Sequence, residues 1–162
     1  MDIMTFAEIG GVFVGFAALI SFSSKKSVEE TWLLINTTIG GLFVMGTTLL
    51  YILPLSYGVS ELQAVRFASI VWLVLYLPSQ IMTFRAFGQE GARADYERSP
   101  WYYRIVIFAG DAVIVIALLA IAAGAVERYS IGLYVTCVSI VLLQAALGLL
   151  RLLTVRLRAG SS

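Results

Sequence analysis

Histidine is absent from the chain, and cysteine occurs once, as Cys137. The first absence removes the usual haem ligand, the commonest zinc ligand and any Ser-His or Cys-His catalytic pair. The second excludes an intrachain disulfide and a C-x-x-C redox pair. Charge is scarce too: 13% of the 162 residues are Asp, Glu, Lys or Arg, against about a quarter in a soluble domain. The 11 basic and 10 acidic residues leave a net charge of +1, which offers no footprint for nucleic acid. Asp111 is the only Asp within an apolar run, so the facing pair needed by an intramembrane aspartyl hydrolase is missing. With no nucleophile–base pair and no metal constellation, the chain does not read as an enzyme, and neither cofactor nor metal is expected.

What is present is apolar: 60% hydrophobic residues and a mean hydropathy of +0.92. Five long runs, at about 4–22, 30–54, 61–84, 101–126 and 130–155, each reach the ~20 residues that cross a hydrocarbon core. The predicted fold is all-α, a polytopic bundle of five transmembrane helices forming one domain over 1–162. No Lys or Arg precedes the first run, and Lys25-Lys26 follow it, so it reads as a retained span rather than a cleaved signal.

Nine of the eleven basic residues fall in every second gap. They are Lys25, Lys26, Arg85, Arg93, Arg98, Arg104, Arg151, Arg156 and Arg158, and the alternate gaps hold only Arg66 and Arg128. By the positive-inside rule the N-terminus lies outside and the C-terminus is cytoplasmic. Trp32 and Trp101-Tyr102-Tyr103 would then mark the inner interface, and Tyr57, Tyr129 and Tyr134 the outer one. The same orientation removes Asn36-Thr37-Thr38 as a glycosylation acceptor, since it falls inside the second span. The polar connection at 86–100 is either a solvated loop or a short contact surface.

Capping signals precede several spans. Ser27-Val28-Glu29-Glu30 and Ser60-Glu61-Leu62-Gln63 fit S-x-x-E/Q, and Ser99-Pro100 places a cap before a proline at the first helical position. The first two spans also echo one another, Ile9-Gly10-Gly11-Val12-Phe13-Val14 against Ile39-Gly40-Gly41-Leu42-Phe43-Val44. Such an echo fits either an inverted repeat of the transporter kind or two helices that both need small residues to pack.

Candidate functional residues are the polar groups inside the runs, because charge at membrane depth costs ~2.5–3.5 kcal/mol and so faces the bundle or a wet cavity. Asp111 is deepest, ~15 Å from the start of the fourth span, between the small residues Ala109, Gly110 and Ala112. It is either a proton- or cation-handling site or a protonated acid fastening a neighbouring helix. Glu8 shares a helical face with Gly11 and Gly15, a small-xxx-small pattern that points it at a helix partner. It either closes a capping box with Thr5 or pairs with Arg66 at similar depth.

The third span carries a polar stripe of Arg66, Ser69, Tyr76 and Gln80, with Pro78 expected to kink it and free a carbonyl near Gln80. In the fifth, Cys137, Gln144, Gly148 and Arg151 share a face; in the second, Asn36, Gly40 and Thr47 do, flanked by Thr37, Gly41 and Thr48. Cys137 reads as a buried inert thiol.

Two functional readings follow. One is an oligomeric channel or a small-solute or ion carrier, its pathway candidates Asp111, Glu8, Arg66, Gln80, Gln144 and Asn36, with Gly11, Gly15, Gly40 and Gly41 packing helices. The other is a non-catalytic accessory or scaffold subunit of a larger membrane complex. The expected partners are the lipid bilayer and either further copies of the chain or a membrane complex. The overall look is similar to that of small bacterial inner-membrane proteins, so a multi-pass place in the cell membrane is expected.

Overall fold

The computed structural model describes residues 3–21, 28–86, 97 and 99–159. Within them the chain is all helical: α1 (Ile3–Ser21), α2 (Val28–Ser56), α3 (Glu61–Ala86), α4 (Trp101–Ala122), a short 3-10 turn (Glu127–Tyr129) and α5 (Ser130–Ala159). Four stretches are long and apolar enough to cross a membrane, namely Leu33–Ser56, Glu61–Ile81, Trp101–Ala122 and Glu127–Val155. The apolar part of α1, Ile3–Leu19, is shorter.

Consecutive helices run in opposite directions. Gly10 meets Gly41, Arg66 lies at Gly124 while Tyr76 meets Asp111, and Gly110 meets Gln144. α5 touches all four other helices and so forms the spine of the bundle. The main core lies where α2, α3, α4 and α5 converge, around Trp72, Ile114, Leu118, Tyr134 and Val138. A smaller cluster of Ala17, Leu33, Leu34 and Leu152 joins α1 to α2 and α5. Large apolar side chains also cover the outside of every helix, among them Phe16, Leu53, Val74, Ile116 and Leu150.

Two helix ends are set by glycine. α2 passes Pro54 and stops at Gly58 (φ +79°), where Gly58 N–H donates to the Leu55 carbonyl at 3.0 Å and Val59 N–H to the Pro54 carbonyl at 3.1 Å. α4 stops at Gly124 (φ +73°) with the same pair of bonds, Gly124 to Ile121 at 3.0 Å and Ala125 to Ala120 at 3.0 Å. This is the Schellman closure, in which a left-handed residue satisfies the last carbonyls of the helix. It ends α4 at Ala122 rather than near 126, because hydropathy cannot register a backbone reversal inside an apolar Ala-Ala-Gly-Ala run.

The capping motifs divide three ways. Gln63 N–H donates to the Ser60 hydroxyl at 3.4 Å, and that hydroxyl donates to Gln63 Oε1 at 3.1 Å, so α3 begins as its motif implies. Pro100 is itself the N-cap of α4, displacing Ser99 from that role. Ser99 instead receives a hydrogen bond from Arg151 on its hydroxyl and one from Arg104 on its carbonyl, the latter at 3.2 Å. Ser27 lies outside the described residues. α3 remains helical through Pro78.

The aromatic girdle needs one correction. Tyr57 and Tyr129 are exposed, whereas Tyr134 is fully buried and its hydroxyl donates to the Thr47 carbonyl at 2.7 Å. It falls on the inward face of α5, one turn before Cys137 and Val138.

Candidate functional site

Three helices bring their inward polar groups to one point. From α3 the Tyr76 hydroxyl donates to Asp111 Oδ1 at 2.5 Å, and from α5 the Gln144 amide donates to the same oxygen at 3.1 Å. The Gln144 Nε2 also reaches the Ile107 carbonyl at 3.1 Å and the Val106 carbonyl at 3.4 Å. α2 closes the site from a fourth side, with the Phe43 ring edge-on to Tyr76 at a centroid distance of 5.8 Å. Gln80, one turn further along α3, sits beside the same hydroxyl.

Gly110 makes this convergence possible. A methyl group built there would lie 2.7 Å from Gln144 Nε2 and 2.9 Å from Ile140 Cγ2. Only a residue without Cβ lets α5 come close enough for its amide to reach the carboxyl, the same logic that places small residues at membrane helix contacts. Asp111 is half-buried, Tyr76 is buried, and neither lies on the apolar groove between α1 and α2 that is lined by Val14, Ala17, Leu34 and Thr38.

Arg66 has a different partner from the one its depth implied. Its Nη2 pairs with Glu127 Oε1 at 2.5 Å, both side chains being partly exposed. The reversal at Gly124 carries Glu127 back over α3, and a methyl at Gly124 would lie 2.5 Å from Arg66 Nη2. Glu8 is exposed on α1. α1 begins at Ile3, so Thr5 lies within the helix and the capping box with Glu8 does not form either.

Gly124→Ala and Gly58→Ala should both destabilise, by about 1–2 kcal/mol for the left-handed backbone alone. Gly124→Ala is expected to lower the thermal midpoint further, since Gly58 has nothing within 4 Å of the added methyl and Gly124 has Arg66. Equal midpoints in detergent would mean that Arg66 does not lie over this turn.

The other sequence candidates divide similarly. Gly41 meets α1, a methyl built on it lying 2.8 Å from the Gly10 carbonyl oxygen, and one built on Gly40 would lie 3.0 Å from Ala145 Cβ. A methyl built on Gly11 would make only ordinary contact with Met45 at 3.8 Å, and one built on Gly15 would have nothing within 4 Å. Gly10, not Gly11 or Gly15, is therefore the close-packing residue of α1, because the helix turns its Glu8 side outward. The two echoed segments do meet, Gly10 against Gly41. Asn36 is half-buried with no side-chain hydrogen bond among the described residues, while the adjacent Thr37 is buried and bonds the Leu33 carbonyl at 2.9 Å. Cys137 is free and fully buried.

At the opposite end from Gly124, Arg151 lies over the Tyr103 ring at 5.2 Å as well as bonding Ser99, which ties α5 to the start of α4. Comparison with family models, with curated proteins and with solved structures finds no match for this chain.

Proposed function

We propose that the chain is a five-span protein of the cell membrane, of bacterial inner-membrane type, that acts as an oligomeric channel or as a carrier for a proton, ion or small solute. The observation that carries this reading is the Tyr76–Asp111–Gln144 cluster, a carboxyl held between three apolar helices. An acid in such a place is costly, and intramembrane acids commonly mark proton or ion pathways. The N-terminus is outside and the C-terminus cytoplasmic, on the basis of the alternating basic gaps. α1 joins the spanning set because its 19 residues extend about 28 Å, close to the ~30 Å of a hydrocarbon core. The exposed apolar side chains then face lipid or further copies of the chain. Non-enzymatic action accords with the missing histidine.

A second reading, an accessory or scaffold subunit, is favoured by the same cluster seen differently. Two donors already engage Asp111, as fastening between helices requires.

Proteoliposomes loaded with a pH-sensitive dye separate the two. Under an imposed ion gradient the parent should move protons or alkali cations, and Asp111→Asn should lose that flux while keeping its oligomeric state in detergent. A parent without flux, together with an Asp111→Asn chain that no longer assembles, leaves the scaffold reading. A C-terminal tag reached by protease from outside intact cells would reverse the assigned topology.

A further inference from the structure

The inward faces of four helices are sealed on one side of Asp111 and reachable on the other. On α4, Ile107, Ile114, Leu118 and Ile121 recur at steps of seven, four and three and so project in one direction. Ile114, Leu118 and Ile121 are fully buried, whereas Ile107 is half-buried. The change falls at Asp111, which lies between them.

The neighbouring helices change at the same level. On α3 the inward row of Val65, Ser69, Trp72 and Tyr76 is buried, and the next turn, Ser79 and Gln80, is half-buried. On α5 Cys137 is fully buried, while Gln144 and Arg151 on the same face are half-buried. On α2 Tyr51 and Thr47 are buried, and Gly40 and Asn36 continue that face half-buried. This is not a general loosening of the inner half. There α2 and α5 stay in close contact, a methyl built on Gly40 lying 3.0 Å from Ala145 Cβ and one on Gly148 lying 3.1 Å from Thr37 Oγ1. Leu33 and Leu152, further along the same two helices, have no exposed surface. The reachable faces are those that α2 and α5 turn toward α3 and α4.

Those faces are polar, with amides at Asn36, Gln80 and Gln144 and a carboxyl at Asp111. Asp111 Oδ1 accepts from both Tyr76 and Gln144, whereas Oδ2 accepts from no group among the described residues. Water settles in polar openings and leaves apolar ones dry. We propose that a water-filled cleft enters the bundle from the end that carries Arg104 and Arg151, runs between α2, α3, α4 and α5, and stops at Asp111 Oδ2. The packed layer of Trp72, Ile114, Leu118 and Tyr134 closes it beyond that point. The cleft deepens the reading of Asp111 given above, since it opens the carboxyl to one side of the membrane alone. It rests on the membrane-spanning part of that reading and not on flux.

Cysteine accessibility in nanodiscs tests it, because both faces of the bilayer then meet the reagent and neither orientation nor transport enters. The probe is a methanethiosulfonate bearing a trimethylammonium group, read as mass added to the intact chain. It reacts with thiolate, which forms only where water reaches the sulfur. The parent should take up no label, since its one thiol, Cys137, is fully buried. Ile107→Cys and Asn36→Cys should each label about 10-fold or more faster than Ile116→Cys, whose 67% exposed position faces outward from the bundle. Ile114→Cys should stay unlabelled. Two cleft positions on different helices keep the test decisive should one replacement disturb folding. If neither labels faster than Ile116→Cys, the half-buried faces meet lipid and the proposal is overturned. Labelling of Cys137 or Ile114→Cys as fast as Ile107→Cys overturns it too, because water would then pass beyond Asp111.

Discussion

Gly41→Ala should destabilise the protein by about 1–3 kcal/mol, the range for an overpacked contact, and more than alanine at any other helical glycine except its partner Gly10. The reason lies in what the new methyl meets. At Gly110 the obstacle is the end of the Gln144 side chain, which can swing aside. At Gly41 it is the Gly10 carbonyl oxygen at 2.8 Å, with Val14 Cγ2 at 2.9 Å behind it, and a backbone carbonyl moves only if α1 moves. Gly10→Ala meets the Gly41 carbonyl at 2.8 Å and should cost a similar amount. The double substitution should cost less than the sum, since the first methyl already separates the helices at the shared contact. Gly15→Ala and Gly46→Ala serve as controls. Neither has an atom within 4 Å of the added methyl, so each should be neutral or gain up to about 1 kcal/mol of helix propensity. Denaturation in detergent reads all five variants. A Gly41→Ala midpoint equal to that of Gly15→Ala would show that α1 and α2 do not meet here.

These glycines also show where the sequence is legible and where it is not. Run length and hydropathy suffice to find the helices, because apolar stretches near 20 residues have few other uses. Helical periodicity finds faces as well: Tyr76 with Ser69 on α3, Gln144 with Cys137 and Gly148 on α5. It does not give the register between helices, and that is what sets contacts. Asp111 is legible as a polar group deep within a span, but its pairing with Tyr76 and Gln144 depends on how far α3 and α5 slide along α4. Gly110 beside Asp111 is the signal the sequence offers. Depth alone offers Glu8 as a partner for Arg66. Its true partner, Glu127, lies past a chain reversal that only the left-handed Gly124 creates. A tyrosine near a span end, such as Tyr134, fits an interface as well as a core until the inward face of α5 is known.

Tyr76→Phe is expected to be the most disruptive single change at the polar cluster, lowering stability by about 1–3 kcal/mol, the cost of leaving a hydrogen-bonding group between packed helices without its partner. Phenylalanine keeps the edge contact with Phe43 and removes only the hydroxyl that holds Asp111 Oδ1 at 2.5 Å. Asp111→Asn should cost less, about 0.5–1.5 kcal/mol, because an amide oxygen in the same place still accepts from Tyr76 and Gln144. That difference makes Asp111→Asn a clean test of flux: it alters the proton chemistry and leaves the helix contacts largely in place. The two changes should also be coupled. With Tyr76 already phenylalanine, Asp111→Asn has no short bond left to weaken, so the double variant should depart from additivity by roughly 0.5–3 kcal/mol. A cycle that closes to zero would mean that the hydroxyl and the carboxyl act independently, and the cluster would then support neither the transport reading nor the fastening one. A coupled cycle with flux lost only in Asp111→Asn points to transport. A coupled cycle in a parent that moves nothing points to a clasp between α3, α4 and α5.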